Sequence, residues 1–221
     1  MKITFLGTGS ADWKMQEHRH LPGFRRNSST LIDDVLLIDP GVCVPDALET
    51  FGKSPDSIRY IINTHRHSDH YNADTVARLS GAAFYDIAPG ETCCIGKYTV
   101  TALRANHSRP CVHFLISDGE KTLFYGLDGA WLLYEEIDAI KQGVDLAVLD
   151  ATLGASIGDY RIFEHNNLNM ITEMKLSLSA WVKQFYITHI SRNLNYPHEE
   201  LVERMTPHGI AVAYDGLEIE I

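Results

Sequence analysis

The segment Thr64-His65-Arg66-His67-Ser68-Asp69-His70, directly after the apolar run Tyr60-Ile61-Ile62-Asn63, constrains this chain more than any other feature. Each buried polar group needs its own hydrogen-bond partner. Three imidazoles and a carboxylate so close together cannot all be satisfied as ordinary core residues. Shared coordination of metal ions resolves the crowding, and imidazole with carboxylate suits zinc, manganese or iron. A strand would throw alternate side chains to opposite faces. The segment therefore reads as a loop leaving a buried strand, presenting His65 and His67 to one ion while Asp69 and His70 face a neighbour.

The same arrangement, an apolar strand ending in a candidate ligand, recurs three times. Residues 99–105 lead to Asn106-His107-Ser108, residues 122–126 to Leu127-Asp128, and residues 184–187 to Thr188-His189. Loops that follow strand ends are where layered folds place their sites.

Strand patterns cover residues 2–6, 30–32, 35–38 and 60–63, with helical spacing at 46–51 and 73–79. Turn signals fall at Gly7-Thr8-Gly9, Asp33-Asp34 and Asp39-Pro40-Gly41. In the second half, strands at 98–105, 112–117 and 121–125 come first, with a hairpin turn at Asp118-Gly119. Helices at 132–141, 169–178 and 199–205 then alternate with strands at 146–149, 184–188 and 210–214. Strands followed by βα units in both halves predict an α+β fold of the αββα sandwich type. In it two β-sheets pack face to face with helices outside. No low-complexity linker interrupts the chain, so one domain over residues 1–221 is expected.

The net charge, 19 Lys+Arg against 29 Asp+Glu, is −10. It argues against a broad electrostatic footprint for a nucleic acid polymer or an anionic membrane. No apolar run reaches membrane-spanning length, and the amino-terminal run is too short for a signal peptide, so a cytoplasmic location is expected. Cys43, Cys93, Cys94 and Cys111 lack C-x-x-C spacing and read as thiols.

The H-x-H-x-D-H signature followed by downstream His, Asp and His resembles the metallo-β-lactamase superfamily. Within it the chain is most similar to the phosphodiesterases of the carbon-phosphorus lyase pathway, the PhnP-like branch, and to the related tRNA-maturation endonucleases. The likeness extends to Gly7-Thr8-Gly9-Ser10, Leu37-Ile38-Asp39-Pro40-Gly41, Asp150-Ala151-Thr152, His165-Asn166-Asn167-Leu168-Asn169, Thr188-His189-Ile190-Ser191 and Tyr214-Asp215-Gly216-Leu217-Glu218-Ile219. It implies two divalent ions, Mn2+ or Zn2+, one on His65, His67 and His107 and the other on Asp69, His70 and His189. Asp128 would bridge them, and Asp69 would count with the catalytic groups as well as the ligands. Asp39 and Asp150 would orient imidazole N–H groups, although turn chemistry before Pro40-Gly41 also accounts for Asp39.

The activity implied is hydrolysis of a small, cyclic phosphodiester by a hydroxide shared between the ions, with His165 assisting the leaving group. A carboxylic ester, lactone or thioester hydrolase and a tRNA-maturation endonuclease are the alternatives. A homodimer is the base-rate assembly.

The chain departs from the branch in lacking amino-terminal cysteines and in carrying Arg192 where a histidine would complete a structural zinc site. In its place Glu17-His18-Arg19-His20 reads as a loop or substrate contact. Arg25 and Arg26 read either as phosphate contacts or as a surface loop, and His113 as a packed core residue. His198 and His208 fit capping and turn roles, and Trp131 and Tyr134 fit either a pocket wall or the core.

Overall fold

The computed structural model describes residues 1–221, which form two compact units, Met1–Ile87 with Ala213–Ile221, and Ala88–Val212. The first unit contains, in order, β1 (Lys2–Gly7), α1 (Met15–His18), β2 (Ser29–Ile32), β3 (Leu36–Ile38), α2 (Val44–Thr50), β4 (Tyr60–Ile62), α3 (Ala73–Arg78) and β5 (Ala83–Tyr85). The second contains β6 (Thr92–Ile95), β7 (Tyr98–Arg104), β8 (Val112–Ser117), β9 (Thr122–Gly126), α4 (Tyr134–Ile140), β10 (Val144–Asp150), α5 (Leu168–Leu178), β11 (Val182–Thr188), α6 (His198–Met205) and β12 (Ile210–Val212). The chain then returns to the first unit as β13 (Glu218–Glu220).

Each unit is built on one mixed sheet. In the first the strand order is β13-β1-β2-β3-β4-β5, antiparallel from β13 to β3 and parallel from β3 to β5. Leu6, Leu31, Leu37 and Ile61 of this sheet pack with Val44, Ala47 and Leu48 of α2 and with Leu79 after α3. In the second the order is β12-β11-β10-β9-β8-β7-β6, parallel from β12 to β9 and antiparallel from β9 to β6. Ile140 of α4, Ile171 and Met174 of α5, and Leu201 and Met205 of α6 join Phe124, Leu149, Phe185 and Ile187 of its strands in one core. The central strands are buried along both faces, which is why 36–38 and 146–149 read as continuous apolar runs rather than alternation.

The α+β class and most elements follow the sequence pattern, with 112–117 matching β8 to the residue. β5, β6 and β13 carry no readable strand pattern, because each lies at a sheet edge and is partly exposed. α4 starts at Tyr134 rather than 132, where Leu133 N donates to Glu136 Oε2 at 2.7 Å and closes the first turn. None of the helices is long and apolar enough to cross a membrane.

Arg25 and Arg26 match neither sequence reading, since both are buried. Arg25 Nη1 donates to Thr8 Oγ1 and Ala213 O at 2.6 and 2.8 Å, and Arg26 Nε pairs with Asp46 at 2.6 Å. Asp46 and Asp215 supply the carboxylates that let a guanidinium sit inside the fold.

His113 is a buried core residue whose Nδ1 hydrogen-bonds Glu136, itself fully buried. Burial opposes charge on His113, but the facing carboxylate of Glu136 raises its pKa above the ordinary imidazole value. His113→Leu would leave that carboxylate without its ion-pair partner, and a loss of about 3–5 kcal/mol of unfolding free energy is expected in urea titrations. A raised folded-state pKa contributes stability that is whole below the unfolded value of about 6.5 and fades as pH rises through the folded value. The gap between wild type and His113→Leu therefore narrows toward alkaline pH, and a gap that widens there would contradict the ion pair.

Candidate active site

In the first unit, register brings two strand ends together. β3 and β4 run parallel with Ile38 opposite Ile62, so Asp39 and Asn63-Thr64 emerge side by side at their carboxyl ends. Asp39 N donates to Ile62 O at 3.0 Å, and the residue takes a left-handed φ of 60° that Asp tolerates better than most side chains. Its fully buried carboxylate accepts from Thr64 N at 2.7 Å, Asn63 Nδ2 at 2.9 Å, Thr64 Oγ1 at 2.9 Å and His70 Nδ1 at 2.8 Å. Thr64 Oγ1 lies 3.0 Å from His65 Nδ1. A Cβ on Gly41 would meet Asp69 O at 2.5 Å, so only glycine lets the histidine-bearing loop lie against the Asp39-Pro40-Gly41 turn.

Anchoring Nδ1 leaves Nε2 to face the cluster. His65 Nε2 lies 2.8 Å from His67 Nδ1, and His70 Nε2 lies 3.4 Å from Asp69 Oδ2. One ring nitrogen held by a protein acceptor and the other turned to neighbouring ligands is the arrangement of metal-binding imidazoles.

The second unit repeats the logic across three adjacent parallel strands. β9, β10 and β11 end together, with Leu149 opposite Gly126 and Asp150 opposite Thr188. Asp128, Asp150 and His189 consequently emerge along one edge of the sheet. β7 runs in the same direction as β9, because each is antiparallel to the β8 between them, and it delivers His107 to that edge. Asp128 and His189 both hold a left-handed φ of 58°, a conformation that costs free energy outside glycine and recurs at functional sites.

Here Asp150 is the organiser. Its Oδ2 bonds His165 Nδ1 at 2.6 Å, and its Oδ1 accepts from Thr152 N at 2.7 Å and Thr152 Oγ1 at 2.6 Å. Thr152 Oγ1 in turn lies 2.6 Å from His189 Nδ1. His107 Nδ1 is tied to Glu164 O at 3.1 Å. The Nε2 atoms of His189 and His107 stand 3.1 and 3.8 Å from the Asp128 carboxylate. Candidate ligand atoms of Asp128, Asp150, His165 and His189 all fall within 4.8 Å of one another.

Electrostatics separate these groups. Burial works against the Asp150 charge, but His165, with His189, outweighs it and holds the carboxyl well below its usual range. Burial likewise opposes charge on His165, yet Asp150 raises its pKa above the ordinary value. Burial lowers the pKa of His107, keeping that imidazole neutral. Neutral imidazoles and ionised carboxylates form a donor set that fits divalent metal ions.

Thr64 and Thr152 are the residues that the sequence did not single out for the site. Each hydroxyl links a buried carboxylate to a histidine ring, Thr64 joining Asp39 to His65 and Thr152 joining Asp150 to His189, which also lies 3.8 Å from the Asp150 carboxylate. Of the other histidines, His18 packs its ring against Trp13 and bonds Lys14 N at 3.0 Å, while His20 is exposed. His208 precedes Gly209, whose φ is 69°.

Residues 22–74 match the family model of the metallo-beta-lactamase superfamily. Over 71 residues the chain is 38% identical to the anti-Pycsar protein Apyc1 of Paenibacillus sp. (strain J14), covering 32% of this chain but only 26% of that relative. Among solved structures, the metallo-beta-lactamase fold protein YhfI from Bacillus subtilis aligns with a TM-score of 0.79 at 18% identity. That alignment covers 100% of this chain and 99% of YhfI. A diphosphatase from the PhnP family aligns with a TM-score of 0.75 at 20% identity, covering 100% and 97%. Zn2+-bound PqqB from Methylobacterium extorquens aligns with a TM-score of 0.79 at 18% identity, covering both chains fully. The fold is the metallo-β-lactamase fold, and the stretch 22–74, which includes His65, His67, Asp69 and His70, is similar to the metallo-beta-lactamase superfamily model.

Removing the organising carboxylate should loosen the ligands without removing any of them. Asp39→Ala is expected to weaken Zn2+ binding about 10- to 100-fold in chelator competition while the far-ultraviolet spectrum is kept. Unchanged affinity would mean that Asp39 serves only its turn.

Proposed function

We propose that this chain is a metal-dependent phosphodiesterase that hydrolyses small, cyclic phosphodiesters with two divalent ions, Mn2+ or Zn2+. In this reading His65, His67 and His107 would hold one ion and Asp69, His70 and His189 would hold the other, with Asp128 available to either. That assignment rests on the superfamily resemblance. What supports it in each unit is the convergence of anchored imidazoles on a carboxylate.

The observation that carries the phosphodiester reading is His165. Its Nδ1 is bonded to the buried Asp150 at 2.6 Å, and its ring stacks on that of His189 with centroids 5.6 Å apart. Burial opposes charge on this ring, but Asp150 raises its pKa above the ordinary imidazole value, which favours the form whose Nε2–H can be given to a leaving group. The PhnP-family diphosphatase among the structural neighbours supports a phosphoryl substrate.

When bound, paired divalent cations lower the pKa of a water and take up negative charge that develops on phosphoryl oxygens. As the water gives up one proton to solvent and its oxygen bonds to phosphorus, the bond from phosphorus to the leaving oxygen breaks. His165 hands its Nε2 proton to that oxygen, and Asp150 stabilises the imidazolium beforehand. A cyclic diester opens to a single monoester bearing a hydroxyl. The net charge of −10 favours a small substrate over an RNA polymer.

Mn2+-reconstituted protein is expected to hydrolyse bis-para-nitrophenyl phosphate, with chelator-stripped protein inactive and the monoester a poor substrate. Turnover of esters, lactones or thioesters in place of the diester would overturn the reading. On an unactivated cyclic diester His165→Ala should lower kcat by about 10²- to 10⁴-fold with bound metal retained. The loss should shrink for the para-nitrophenyl ester, whose leaving group needs less protonation. Loss of metal from that variant would instead make His165 a ligand.

A further inference from the structure

The loop that carries Asp128 is held by side chains from two other loops. Asn166, almost fully buried, donates from Nδ2 to Gly129 O at 2.7 Å and accepts at Oδ1 from Trp131 N at 2.8 Å. Both halves of the amide are thus used on one short turn. Asn106 makes a second pair on the residue between them, with Nδ2 donating to Ala130 O at 2.7 Å and its own carbonyl accepting from Ala130 N at 3.0 Å. From below, the His113 ring blocks any shift, because a Cβ on Gly129 would lie 2.6 Å from His113 Nε2.

The turn needs such restraint. Asp128 and Trp131 bracket it with φ of 58° and 49°, neither residue being glycine. Left-handed backbone at a carboxylate and at an indole persists only where the surroundings over-determine it. The clamp residues follow or precede active-site histidines directly, Asn106 before His107 and Asn166 after His165. Asn166 O also accepts from Leu153 N at 3.0 Å, which ties the clamp to the segment just after Asp150-Ala151-Thr152.

We propose that Asn166 is a positioning residue that fixes the Asp128 carboxylate relative to His165 by gripping the 129–131 backbone. The inference rests on the functional reading only for the use made of that spacing. Its structural part concerns this turn alone. A side-chain amide supplies both the donor for Gly129 O and the acceptor for Trp131 N, the two backbone groups that flank Ala130. Aspartate keeps the acceptor for Trp131 N but loses the donor to Gly129 O, and alanine loses both.

Three measurements test this on the full chain. In metal-free protein, exchange of the Trp131 amide should speed up at least tenfold in Asn166→Ala, while amides in β10 and β11 keep their protection. In Co2+-loaded protein the visible d–d spectrum should change in Asn166→Ala and change less in Asn166→Asp. On the cyclic diester, kcat should fall at least tenfold with KM within about twofold, and Asn166→Asp should recover part of the loss. Unchanged Trp131 exchange and an unchanged Co2+ spectrum would overturn the proposal, as would a KM-only effect. If Asn166→Ala does not fold, the Asn166→Asp exchange and spectrum decide by the same criteria. If wild type lacks diester turnover, the functional reading fails while the exchange and Co2+ results still decide the role of Asn166.

Discussion

Two buried carboxylates orient four of the histidines in the candidate site, His65 and His70 in one unit and His165 and His189 in the other. Asp39 and Asp150 each sit at the carboxyl end of a parallel strand, fully buried, and each is surrounded by donors. A buried anion is tolerated only when its lone pairs are engaged, and here the donors that engage it are the histidines and threonines of the site. The requirement to satisfy the carboxylate and the requirement to orient the imidazoles are therefore the same requirement. Removing either partner leaves a polar group stranded in the interior.

The two units reach this solution in parallel ways. Asp39 contacts His70 directly and reaches His65 through Thr64. Asp150 contacts His165 directly and reaches His189 through Thr152. A hydroxyl that donates to the carboxylate can still accept from a ring N–H, so one anion governs two imidazoles, and Nε2 is left to the cluster each time. In the second unit the directly bonded ring is His165, whose pKa the anion raises against the effect of burial. The same wiring therefore orients rings suited to holding a metal and, at His165, a ring whose raised pKa suits it to giving up a proton.

Much of the fold was legible because burial on one or both faces of a strand leaves a periodic or continuous apolar record. The central strands and α5 register that record clearly, whereas β5, β6 and β13 bury too little to leave one. Residues 65, 67, 69 and 70 stood out because so many ionisable groups in one loop have no ordinary explanation. Arg25 and Arg26 were opaque for the opposite reason. Nothing local reveals that Asp46 and Asp215 come back to pair with Arg26, or that Thr8 and Ala213 receive Arg25. The threonine bridges and the Asn166 clamp were equally hidden, since both are common polar residues whose meaning lies in their partners.

Sequence alone determined the superfamily signature, the identity of the candidate ligands and their placement after strand ends, because those follow from local order and periodicity. Tertiary structure decided which nitrogen of each imidazole is held, which carboxylate holds it and how the Asp128 turn is gripped. These depend on strands far apart in sequence ending side by side, as β3 with β4 and β9 with β10 and β11 do. Orientation is a property of such neighbours, and neighbours exist only once the sheets have formed.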